Sequence, residues 1–90
     1  MTTADALAAI LERWPEGTVE GRFNGGKWRA SLTRETSAQK LTLFARTAAG
    51  GDFVSANFYR LQSGWAARPC EMPLSKVAAF IEGFRPEAAE

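Results

Sequence analysis

One cysteine, one tyrosine and no histidine stand in these 90 residues, and that set bounds the chemistry the chain can do. Without histidine there is no Ser-His or Cys-His nucleophile and no histidine-ligated metal. Cys70 has no second cysteine to resolve a sulfenic acid or complete a redox pair. Glu71 beside it opposes a thiolate, whereas Arg68 or a following helix start would favour one. The plain reading of Cys70 is a small hydrophobe half-buried between sheet and helix. The carboxylates are scattered, with no pair that spacing brings together for acid/base work. Gly21-Arg22-Phe23-Asn24-Gly25-Gly26-Lys27 sets glycines beside a lysine, but it lacks the GxxxxGK[ST] pattern and leads into a strand. It reads as a hairpin turn. The chain is expected to be a non-catalytic binding domain with no cofactor and no metal site.

Two groups of residues could instead make contacts. The stretch Phe53–Met72 holds Tyr59, Arg60, Trp65 and Arg68, residue types enriched in protein–protein hot spots. If this aromatic and basic cluster is exposed, the expected partner is another protein or a second copy of the chain, which would also cover an edge strand. Against that, Trp65 could simply cover the end of the core. The alternative is single-stranded nucleic acid on a basic sheet face carrying Arg22, Lys27, Arg29, Lys40, Phe44, Arg46 and Tyr59. Cations there would track phosphates and aromatic rings would stack on bases. An ordinary solvated antiparallel face has the same composition, and the near-neutral isoelectric point of about 7.9 counts against nucleic acid.

Composition narrows the class. Hydrophobic residues make up 46% and charged residues 23%, too balanced for a disordered chain. The net charge of +1 hides an uneven distribution. Residues 18–68 carry Arg22, Lys27, Arg29, Arg34, Lys40, Arg46, Arg60 and Arg68 against Glu20, Glu35 and Asp52, while the flanks are acidic. No apolar run approaches the roughly 18 residues of a membrane-spanning helix, and the N-terminus lacks a basic signal region. No membrane partner and a cytoplasmic location are expected, in one domain spanning residues 1–90.

The positioning elements follow from periodicity. Thr2 and Asp5 suit a capping box, and Leu7, Ile10, Leu11 and Trp14 line one helix face, so a helix is expected over residues 3–14 before Pro15. Alternation then predicts strands over 18–23 and 27–33, joined by Asn24-Gly25-Gly26. Residues 34–39 read as a turn. Further strands are expected over 40–46 and 53–61, with a bulge or strand end near Arg60, and a short fifth strand over 65–68 with Pro69 at an edge. Pro73 suits the first turn of a closing helix over 73–84, which Gly83 and Pro86 end, and residues 86–90 form a frayed tail. Short turns between strands imply an antiparallel meander of four to five strands. The fold class is α+β, ordered α-β-β-β-β-(β)-α, with both helices on one face and the other face open.

Overall fold

A computed structural model describes residues 2–35, 37 and 39–87 of the chain. Helix α1 (Thr3–Leu11) starts on the expected capping box. Asp5 N–H donates to Thr2 Oγ1 at 3.2 Å, and Thr2 N–H donates to Asp5 Oδ2 at 3.0 Å. The helix is three residues shorter than the apolar period suggested. Arg13 and Trp14 donate to Ile10 and Leu11 three residues back, so the last turn tightens ahead of Pro15. Trp14 nevertheless keeps its place against the core.

Strand β1 (Gly17–Phe23) turns through Asn24 and Gly25, at φ 56° and 80°, into β2 (Gly26–Glu35). Two positive φ values in a two-residue loop match the right-handed twist of the strands they join. β2 runs past Thr33, correcting the turn expected from residue 34: Arg34 pairs Leu41 and Glu35 pairs Lys40. What holds the extension is Arg34, whose guanidinium donates to the carbonyls of Leu11, Glu12 and Trp14 at 3.4, 3.1 and 2.6 Å. They lie in and just past the last turn of α1, where this charged donor adds to the Trp14 N–H that already serves the Leu11 carbonyl.

β3 (Lys40–Thr47), β4 (Phe53–Leu61) and β5 (Gly64–Pro69) complete the meander. The expected break near Arg60 does not occur: the β4–β5 ladder continues through Arg60↔Trp65 to Leu61↔Gly64. Gly64, at φ 127°, takes up the turn instead. Helix α2 (Leu74–Gly83) starts one residue after Pro73, which serves as its N-cap.

A sixth strand, β6 (Arg85–Pro86), pairs with β1 on the far edge, so the order is β5-β4-β3-β2-β1-β6. The alternation signal needs several residues and cannot register a two-residue strand. Gly21 makes room for it: a Cβ there would lie 2.6 Å from Phe84 Cζ and would meet the Arg85 carbonyl. Glu87 N–H then donates to Glu20 O at 2.9 Å, which corrects the frayed tail expected from residue 86, and the rest of that tail lies outside the described residues.

The core lies between the two helices and one sheet face. Trp28, Ala30, Leu32, Leu41, Leu43, Ala45, Val54, Ala56 and Phe58 supply the sheet side. Leu7, Ala8 and Leu11 of α1 and Val77, Phe80 and Ile81 of α2 meet them. Phe80 is the hub, with ring centroids at 5.0 Å from Trp28 and Phe84, 5.2 Å from Phe23 and 6.5 Å from Trp14. Edge and offset contacts at these distances add to plain area burial. Among the described residues no helix is long and apolar enough to cross a membrane.

Candidate functional site

Because side chains alternate across each strand, the register assigns every residue of the open face a row. One row reads Glu20–Arg29–Arg46–Phe53, and the next Thr18–Ser31–Phe44–Ser55. Beyond them lie Thr33–Thr42–Asn57–Arg68 and then Glu35–Lys40–Tyr59–Ala66. Arg22 opposite Lys27 begins the series. On β1–β5 this face carries six cations (Arg22, Lys27, Arg29, Lys40, Arg46 and Arg68) against Glu20 and Glu35. The basic and aromatic residues expected on one surface are brought together there.

The charges are only partly matched. Glu20 sits between Arg29 Nη2 at 2.8 Å and Lys27 Nζ at 3.9 Å. The Arg29 hydrogen bond first, and the Lys27 charge second, hold its carboxyl below the ordinary value of 4.5. Arg22 reaches Glu87 at 3.9 Å, and Lys40 lies 5.6 Å from the centre of the Tyr59 ring. Among the described residues Arg46 forms no ion pair, and its cross-strand neighbour Arg29 is a like charge. The centre of the face is left positive.

Two exposed rings stand beside Arg46. Phe44 and Phe53 are 44% and 41% exposed, high for phenylalanine, and stack on each other with centroids 6.3 Å apart and planes at 28°. With Arg46, Gly50, Gly51 and Asp52 they line a shallow groove of about 330 Å³ at the β3–β4 loop. Asp52 is already engaged: Lys76 Nζ of α2 donates to it at 2.7 Å and Phe53 N–H at 2.8 Å. Those two bonds, the Lys76 one foremost, lower its pKa from 3.8.

Sequence reasoning did not single out Phe53. The signal was present, since the alternation that sends Ser55, Asn57 and Tyr59 outward also sends out Phe53.

The four residues of the expected protein-contact patch divide between two faces. Tyr59 and Arg68 lie on the open face, while Arg60 and Trp65 pair on the other. Trp65 packs half-buried against the core with the Arg60 guanidinium 5.9 Å from its ring centre, so it covers the end of the core. The exposed tip here is Leu61, 55% accessible, at the β4–β5 turn.

The β5 edge is also guarded. Cys70 N–H donates to Ser55 O at 3.0 Å, so by alternation Trp65, Ala67 and Pro69 turn their backbone groups away from β4. Trp65 N–H donates to Asp5 Oδ1 at 2.8 Å, and Pro69 has no N–H. Among the described residues the Ala67 N–H is the one donor that β5 leaves on that edge, a poor template for strand pairing.

No protein-family model, curated protein or solved structure matches the chain.

Proposed function

We propose that this is a non-catalytic binding domain whose open sheet face holds single-stranded nucleic acid. The observation that carries the reading is the co-facial placement of Arg29, Arg46, Lys40 and Arg68 with Phe44, Phe53 and Tyr59. Cations neutralise phosphates without regard to sequence, and each stacked base adds roughly 1–3 kcal/mol. Duplex DNA hides its base faces, so exposed rings on an open sheet face favour an unpaired strand. Exposed Thr33 and partly exposed Thr42 and Asn57 form the row between the rings. Thr42 Oγ1 donates to Asn57 Oδ1 at 3.0 Å, so the Thr33 hydroxyl and the Asn57 side-chain N–H groups are what this row offers to sugar or base edges.

The protein-contact reading keeps one observation in its favour, the exposed Leu61 beside Arg60. The division of the expected patch between two faces and the guarded β5 edge weigh against it.

Fluorescence anisotropy with a labelled oligothymidylate tests the proposal. Binding is expected at about 50 mM salt and should weaken steeply as salt rises, with a log–log slope of about −0.7 for each neutralised phosphate. Arg46→Ala should reduce that slope by about 0.7 with the fold intact. Absence of binding at about 50 mM salt rejects the proposal, and equal affinity for duplex rejects its single-strand form.

A further inference from the structure

The binding face is not uniform, and its β3–β4 end is built differently from the rest. Resting on the nucleic-acid reading above, we infer that the groove formed by Phe44, Phe53 and Arg46 is a nucleobase pocket, the site where one unpaired base stacks and anchors the strand.

Three observations lead there. First, Phe44 and Phe53 are more than 40% exposed although they stand side by side, where a second ring would ordinarily be buried. Apart from Lys76 Nζ, 5.9 Å from the Phe53 ring centre, they present an apolar surface whose natural complement is a flat ring system. Second, the groove of about 330 Å³ is large enough to seat one base. Third, the electrostatics suit a nucleotide. The single carboxylate of the lining, Asp52, is ion-paired to Lys76, while Arg46, the cross-strand neighbour of Phe53, carries an unmatched positive charge. A base on the rings would therefore place its phosphate toward Arg46 and, one strand further on, Arg29.

The register also fixes a second station. Tyr59 lies four residues along β4 from Ser55, the partner of Phe44, or about 14 Å of strand, and Lys40 flanks it. A strand anchored at Phe44 and Phe53 reaches Tyr59 across the row Thr42–Asn57. The minimal ligand is then about four nucleotides, the lower limit for small sheet-based single-strand sites.

The test uses oligonucleotides of about two to eight residues carrying one 2-aminopurine, whose emission is quenched on stacking. Titrated into the intact protein, quenching should be strong, and affinity should rise with length up to about four nucleotides and then level. Phe44→Leu and Phe53→Leu keep an apolar side chain but lose the ring, and both positions lie outside the buried core, so the fold is kept. Each should reduce the quench and weaken binding about tenfold, leaving stacking at Tyr59 and salt-dependent attraction in place. Wild-type affinity and quenching in both leucine variants would overturn the pocket while sparing the nucleic-acid face. No oligonucleotide binding by any variant at low salt would overturn both. A concentration-dependent dimer mass that Phe44→Leu abolishes would overturn the pocket, since a second copy would then occupy the rings.

Discussion

Asp5 and Trp65, sixty residues apart in sequence, are joined by a 2.8 Å hydrogen bond from the Trp65 backbone N–H to Asp5 Oδ1. The same carboxylate accepts Thr2 N–H and so completes the cap of α1. It ties the start of the first helix to the outer edge of the sheet. Gly64 lets it approach: a Cβ on that residue would stand 2.8 Å from Asp5 Oδ1, and its φ of 127° disfavours any side chain.

Asp5→Ala should therefore do more than uncap a helix. Its melting temperature should fall below that of Thr2→Ala, which removes only the hydroxyl cap and costs about 1 kcal/mol. Amide exchange at Trp65 should accelerate in Asp5→Ala and stay slow in Thr2→Ala. Equal exchange at Trp65 in the two variants would mean that the cross-link contributes nothing to the edge.

Arg34→Met should be destabilising although the residue is only partly buried. It strips three helix-end carbonyls of a charged donor, a loss of about 2–3 kcal/mol, read from the urea midpoint. Lysine should restore only part of this, because a single ammonium lacks the guanidinium fork. Full rescue by lysine would reduce the contact to simple charge attraction.

Gly21→Ala adds one methyl where Phe84 and the Arg85 backbone already stand. The expected cost is about 1–3 kcal/mol, with β6 as the element that gives way. The Glu87 amide, held by Glu20 O, should lose its exchange protection before the β1–β2 ladder does. Alanine at Gly51, where added atoms meet nothing within 4 Å, should leave stability unchanged.

Stability should fall on the acid side alone. Asp5, Glu20 and Asp52 all have pKa values lowered by folding: Asp5 by the Thr2 and Trp65 N–H groups, Glu20 by Arg29 and Lys27, and Asp52 by Lys76 and Phe53 N–H. The unfolded chain thus binds these protons more readily than the folded one. The stability they contribute is complete above the ordinary carboxylate values of 3.8 and 4.5 and is lost as pH drops through the lower folded values. Denaturant midpoints should be level from about pH 5.5 to 8, since the chain has no histidine, and should decline below about pH 4.5. A midpoint that rises on acidification would contradict this assignment.

Much of the architecture was legible in the residues alone. Local rules decided the Thr2–Asp5 cap, the Asn24-Gly25 turn, the alternation of β2 and β3, and the edge position of Pro69. Each depends on residues within a few positions of one another, so a linear reading suffices. The same alternation placed Arg22, Lys27, Arg29, Lys40, Phe44 and Arg46 on one face.

Only tertiary packing could settle the rest. β6 exists because Gly21 leaves space for Phe84, a relation across more than sixty residues. β2 reaches Glu35 because Arg34 meets the end of a helix, and no strand period records that. The split of Tyr59 and Arg68 from Arg60 and Trp65 follows from a ladder that continues unbroken to Leu61, because Gly64 takes up the turn. The absence of histidine excluded only histidine-dependent chemistry. Which surface remains to bind something is a matter of register, since a slip of one residue would send every ring to the other face.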